Sequence, residues 1–158
     1  MFTLLHLLAH DAHARDLHGR LGVGFEDQLA ATAGSGAVSA RYWLPAVGSA
    51  NPARSPHVGV EVALGLDLRE GGTGASVGAR VLYAFLLEDN FNLYGAGGVG
   101  WLGATSSVRV QPAVGAEFFL FGLENLGITT EWGMNLDLGE EISLSTPGNA
   151  VAGVRYYF

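Results

Sequence analysis

Apolar and polar residues alternate with a period of two along most of this chain, the pattern of strands whose two faces meet different surroundings. Beyond residue 14, eight such segments are predicted: 17–26, 38–44, 58–68, 75–87, 91–102, 108–120, 128–138 and 149–158. Turn formers separate them, among them Gly34-Ser35-Gly36, a loop holding Pro52 and Pro56, Glu70-Gly71-Gly72-Thr73-Gly74 and the tight Glu88-Asp89-Asn90. One face collects Leu21, Val23, Phe25, Val38, Tyr42, Val60, Val62, Leu64, Val77, Val81, Tyr83, Phe85, Val99, Trp101, Val114, Phe118, Trp132 and Val154. The other collects the charges (Arg20, Glu26, Arg41, Glu61, Arg80, Arg109, Glu117, Glu131, Asp137 and Arg155), with glycines such as Gly22, Gly59, Gly78, Gly98 and Gly115 between them. This segregation of charge to one side is the strongest signal in the chain.

Composition narrows the picture. A length of 158 residues suits one domain. A net charge of −7, with 8 Arg and no Lys, lacks the basic footprint of a nucleic-acid binder. Without Cys there is neither a disulfide framework nor a thiolate metal site. No apolar run reaches the roughly 18 residues of a membrane-spanning helix, while 24 glycines are about double the usual share.

Alternation alone leaves open which face points inward, since a soluble barrel buries the apolar face and a membrane barrel turns it to lipid. Two features favour lipid. The polar face is mostly Gly and Ala around isolated Arg and Glu, which suits a crowded interior better than a solvated surface. With strands running up and down from an inner-rim amino terminus, Tyr42, Tyr83, Phe85, Phe91 and Phe118 gather near one rim, with Tyr156 and Phe158. Phe25 and Trp101 gather near the other. Two aromatic girdles are what interfacial anchoring predicts, although Trp132 falls mid-strand. Most predicted strands are also near the ~9–11 residues that cross a bilayer at a tilt. The predicted fold is therefore all-β: an eight-stranded antiparallel up-and-down transmembrane β-barrel.

The chain ends on Val154-Arg155-Tyr156-Tyr157-Phe158, an aromatic last residue preceded by outward residues at alternate positions. This ending resembles the carboxy-terminal signal of bacterial outer-membrane β-barrel proteins. The eight-strand count, the short Glu88-Asp89-Asn90 turn and the strand start Phe91-Asn92-Leu93-Tyr94 resemble the small OmpA/OmpX-type barrels over about residues 17–158. The resemblance implies a bacterial outer-membrane location. It also implies that Val154, Tyr156 and Phe158 act as an assembly signal read by the barrel-assembly machinery, and outer-membrane lipid as surroundings. The chain departs from that family in its absent Lys, weak leader and modest loops.

Residues 1–14 read as a signal-peptide remnant, with Ala12-His13-Ala14 resembling a cleavage site, ahead of a barrel domain over 15–158. His6, His10, His13 and His18 have the spacing of a helical metal face, but a discarded leader explains them, and no metal site or cofactor is expected. Inside the barrel, Arg20, Arg41, Arg80, Arg109 and Arg155 are expected to pair with Glu61, Glu117 and Glu131, because the planar guanidinium fork suits carboxylates.

Other chemistry fares worse. Gly95-Ala96-Gly97-Gly98-Val99-Gly100 fits the dinucleotide fingerprint in spacing but lacks the helix that must follow. Ser143 and Ser145 are expected at the rim opposite His18 and His57, so no Ser–His pair forms. Glu140-Glu141 reads as a solvated acidic loop. The sequence thus points to a monomeric, non-enzymatic envelope protein, structural or docking a partner through its loops, plugged by Arg/Glu salt bridges. The runner-up is a narrow, porin-like channel for small or hydrophobic solutes gated by those bridges. A lipid-modifying outer-membrane enzyme is third.

Overall fold

The computed structural model describes residues 16–26, 29–30, 36–45, 57–69, 72–120, 122–146 and 151–158. The leader with its Ala12-His13-Ala14 site, Gly34-Ser35, the Pro52/Pro56 loop, Glu70-Gly71 and Asn149 lie outside the described residues. Ten strands form: β1 (Leu21–Glu26), β2 (Ala37–Trp43), β3 (His57–Arg69), β4 (Gly72–Glu88), β5 (Phe91–Leu102), β6 (Ser107–Leu120), β7 (Leu123–Gly133), β8 (Asn135–Leu138), β9 (Ile142–Ser145) and β10 (Val151–Tyr157).

From β1 to β7 each strand pairs antiparallel with its neighbour in sequence. β10 then inserts between β7 and β1, with Gly22 opposite Tyr157. β8 continues β7 along β6 past Met134, and β9 and β10 lie along β8 and β7 in turn. The ten strands thus make the eight staves of a closed antiparallel up-and-down barrel, with no helix among the described residues.

The alternation dictates the faces. β1 alternates exposed and buried along its whole length. Phe25 is 66% exposed and Leu64 65%, while Arg41, Glu61 and Glu117 are at 1% or less. The apolar face therefore points out of the barrel and the charged face points in. A bulge at Phe85 shifts the β4–β5 register between Ala84 and Leu86 and turns two consecutive apolar residues, Phe85 and Leu86, outward.

Several expectations about the strands are corrected: Gly72-Thr73-Gly74 of the expected turn pair within β4, and the seventh strand begins at Leu123 and breaks at Met134. Residues 17–20 do not join the first strand. They form a turn through Gly19, whose φ of 75° favours glycine, and this carries Leu17 into the barrel. The last outer loop, expected as irregular over 139–148, contains β9, because Ile142-Ser143-Leu144-Ser145 itself alternates and pairs with β8.

Space inside is shared between long side chains and glycines. A Cβ on Gly98 would collide with the Cβ of Arg80, one on Gly115 with the Tyr94 ring, and one on Gly22 would lie 2.6 Å from Arg155 Cδ. The glycine run 95–100 is thus ordinary β5 strand, paired on both edges, with its inward members beneath interior side chains. Its outward member Gly97 has open space around its Cα. Gly98→Val is accordingly expected to destabilise the fold by about 1–3 kcal/mol, the usual cost of overpacking. The adjacent Gly97→Ala should stay within about 0.5 kcal/mol. Urea midpoints of the two refolded variants check this, and equal effects would contradict the packing account.

Candidate functional site

The barrel interior has three layers, and strand register builds the central one. Arg41 and Arg80 stand directly opposite Glu61 on its two neighbouring strands. Glu61 Oε2 accepts from Arg41 Nε at 2.7 Å and from Arg80 Nη2 at 3.1 Å, and Glu61 Oε1 accepts from Arg155 Nη2. Arg80 also donates to Glu131 Oε2 and to Glu26 Oε2, each at 2.6 Å. Tyr94 donates its hydroxyl to Glu131 Oε1 at 2.5 Å, and Arg155 Nη2 donates to Ser39 Oγ at 2.7 Å. Arg41 Nη1 faces Glu117 Oε1 at 3.7 Å, and Tyr157 donates to that same oxygen at 2.9 Å. Three guanidinium groups and four carboxyl groups are interlocked here, all of them buried.

Apolar groups pack toward both ends. Toward the inner rim Leu17, Trp43, Leu82, Ala84, Tyr94, Phe119 and Tyr157 pack together. Trp43 Nε1 donates to the Tyr157 hydroxyl at 3.3 Å, tying this layer to the charged one. Toward the outer rim Leu29 and Ala30 fold inward: Leu29 fills the space over Gly78 and Gly100, and Ala30 packs with Ala37 and Ala63.

Six of the eight residues read from the sequence as an interior network meet: Arg41, Glu61, Arg80, Glu117, Glu131 and Arg155. The other two are placed differently. Arg109 makes a bidentate pair with its cross-strand partner Asp137, Nε–Oδ1 2.7 Å and Nη2–Oδ2 2.9 Å, nearer the outer rim. Beside that pair Gln111 Nε2 donates to Asn135 Oδ1 at 2.7 Å. Arg20 lies in the turn before β1 and donates to Asn125 Oδ1 at 2.5 Å, because the chain has not yet entered the wall at that point.

Sequence reasoning places Glu26 on the charged face without joining it to the network, and it misses Tyr94, Tyr157 and the apolar end layers. Parity was the available signal, since Tyr94 follows Asn92 and Tyr157 follows Arg155 on inward positions. Nothing in the pattern marks Leu29, which lies beyond β1.

On the outside, Phe25, Tyr42, Tyr83, Phe85, Trp101 and Phe118 are all exposed, and Phe91 is half-buried. Phe91 stacks obliquely on Phe118, ring centroids 4.8 Å apart. Val154, Tyr156 and Phe158 are exposed along β10, with Tyr156 edge-on to Phe158 and the Phe158 N–H donating to Leu21 O at 2.9 Å.

Ser143 and Ser145 lie on β9 beyond the outer rim, whereas His57 opens β3 at the inner rim. Glu140 and Glu141 are exposed. One group of metal-ligating type does come together among the described residues: Asp16, His18 and His57, at the inner mouth. Burial works to raise the Asp16 carboxyl, but hydrogen bonds from the His18 backbone and ring outweigh it and hold it below its ordinary value. Comparison of the chain with protein-family models, with curated proteins and with solved structures gives no match.

Removing one member of a buried charge network strands its partners, at about 3–5 kcal/mol. Arg80→Ala, which takes donors from Glu26, Glu61 and Glu131 at once, is expected to cost that much. Arg20→Ala, at the rim, should cost no more than about 1 kcal/mol. Glu117→Ala should fall between them, since Glu117 meets Arg41 only at 3.7 Å. Chemical unfolding of the three variants gives the order.

Proposed function

We propose that this chain is a bacterial outer-membrane β-barrel of the small OmpA/OmpX type: monomeric, non-enzymatic, and structural or partner-docking in the envelope. The observation that carries the reading is the inverted distribution of polarity. The charged groups are sequestered inside, while Val60, Val62, Leu64, Leu66, Val77, Val81, Val99, Val114 and Val154 form an exposed apolar outer wall. A soluble monomer rarely exposes contiguous apolar patches beyond a few hundred Å². A lipid-facing barrel requires such a band, and its closed wall satisfies the backbone hydrogen bonds that lipid cannot. The exposed aromatics at the strand ends suit the two interfaces. The long strands β3 to β6 have ample length for a tilted crossing of about 9–11 residues.

A structural role is preferred to conduction because buried side chains occupy all three layers of the interior among the described residues. Leu29 and Ala30 stand at one end, interlocked Arg and Glu in the middle, and Leu17, Trp43 and Tyr157 at the other. In this reading outer-membrane lipid surrounds the wall, and the barrel-assembly machinery reads Val154, Tyr156 and Phe158. Any envelope partner docks on the outer loops.

The test is refolding into lipid, a heat-modifiable gel shift to report the inserted barrel, and planar-bilayer conductance. A gel shift with an electrically silent bilayer is the expected result. Discrete conductance steps that vanish on Arg80→Ala would replace the plugged barrel with a gated channel. No shift and no insertion would remove the membrane reading altogether.

A further inference from the structure

Before β1 the chain makes a turn across the inner mouth. Gly19 N donates to Trp43 O at 2.8 Å, Arg20 N to Leu17 O at 3.1 Å, and Leu17 N to His57 Nε2 at 3.2 Å. The His18 ring lies on the His57 ring, with centroids 3.7 Å apart and planes inclined by 23°. Asp16 Oδ1 sits 2.7 Å from His18 Nδ1 and 3.4 Å from His57 Nε2. One ligand atom from each of the three residues lies within 4.8 Å of the other two. His57 is wholly buried and held by the edge of Trp43, centroids 6.2 Å apart, whereas the Asp16 side chain is half-exposed.

We propose that Asp16, His18 and His57 form a binding site for zinc or a similar late divalent cation, which staples the amino-terminal turn across the inner mouth of the barrel. Two imidazoles and one carboxylate make the nitrogen-rich donor set that Zn²⁺ accepts, whereas Ca²⁺ and Mg²⁺ prefer oxygen. Asp16 and His18 are two residues apart on one turn and form a compact chelate, and the third ligand comes from the start of β3, a rigid wall. His57 Nε2 accepts the Leu17 N–H and lies 3.4 Å from Asp16 Oδ1, so a cation that takes this nitrogen replaces the Leu17 hydrogen bond at the same position. The single Asp16 oxygen already lies against a ring nitrogen of each histidine, so the three donors face one another before any cation binds.

Three protein ligands with a half-exposed carboxylate leave a coordination position open to water. Stacked rings direct their lone pairs side by side, so coordination swings His18 out of the stack. That motion is confined to a turn outside the barrel wall. The inference is independent of the membrane reading, since it concerns only the turn and the end of the wall it covers. Its consequence is linkage: a cation that binds the closed turn stabilises it by mass action.

The test uses the full chain with His6→Ala, His10→Ala and His13→Ala, which removes the remaining imidazoles of the amino-terminal segment. Zn²⁺ is titrated calorimetrically into the refolded protein, and Co²⁺ serves as a spectroscopic probe. One equivalent should bind, and the thermal midpoint should rise with Zn²⁺. His18→Ala and Asp16→Asn, each added separately to that background, should weaken binding by about tenfold or more, since even an outer-shell partner is worth that much. Both variants leave the buried His57 in place, so folding is preserved and checked by the unchanged zinc-free midpoint. The proposal is overturned if binding survives both variants, if the triple-alanine chain binds no Zn²⁺ up to about 1 mM, or if Zn²⁺ binds only when His6, His10 and His13 are present.

Discussion

Glu61 is the point on which the barrel interior is organised. Its two carboxylate oxygens accept from Arg41 on β2, Arg80 on β4 and Arg155 on β10, so one buried side chain on β3 joins four strands. A charge removed from water must be matched by partners at close range, and three guanidinium groups around one carboxylate would be unbalanced alone. Glu26, Glu131 and Glu117 complete the set, held by Arg80, by Tyr94 and by Tyr157. With the charges so bound, the apolar side chains of the same strands have only the outer surface left. The polarity of the wall thus follows from the chemistry of its lumen.

Volume is the second half of that constraint. A narrow barrel cannot hold a long side chain from every strand at one level, and the chain answers with glycine opposite each large group. Gly98 lies beside Arg80, Gly115 under Tyr94, Gly59 against Trp43 and Gly127 against Glu117. The same residues that look like low-complexity sequence are therefore the spaces into which the network is built.

Most of this was legible because period two is a strong signal where the two faces differ. The bounds of β5 agree with expectation, and parity puts Arg41, Glu61, Arg80, Glu117, Glu131 and Arg155 on one face, whose inward direction follows from the small residues between them and the aromatics opposite. What escaped the reading has physical reasons. Tertiary space draws Leu29 inward from a segment with no strand period, and it draws Leu17 inward although the alternation extends the first strand over it. Glu26 falls on the charged face, but it closes its strand, and parity alone does not show that Arg80 reaches it across the barrel. His18 and His57 are expected at one rim, but the stacking of their rings is not legible, because it joins two segments about forty positions apart.

Closure of the barrel concentrates its one long-range seam at the chain ends. β3 and β4 share thirteen paired positions, whereas β1 and β10 share only four: Gly22 with Tyr157, Val23 with Tyr156, Gly24 with Arg155 and Phe25 with Val154. The other wall ladders join strands near in sequence, while this one joins residues separated by almost the whole chain. Partial opening follows the lowest local density of hydrogen bonds and contacts, so the wall breathes first between β1 and β10. Amide exchange at Val23 and Val154 will run ahead of that at Val62 and Val81. The tail that bears Val154, Tyr156 and Phe158 is then also the edge through which the closed wall comes apart.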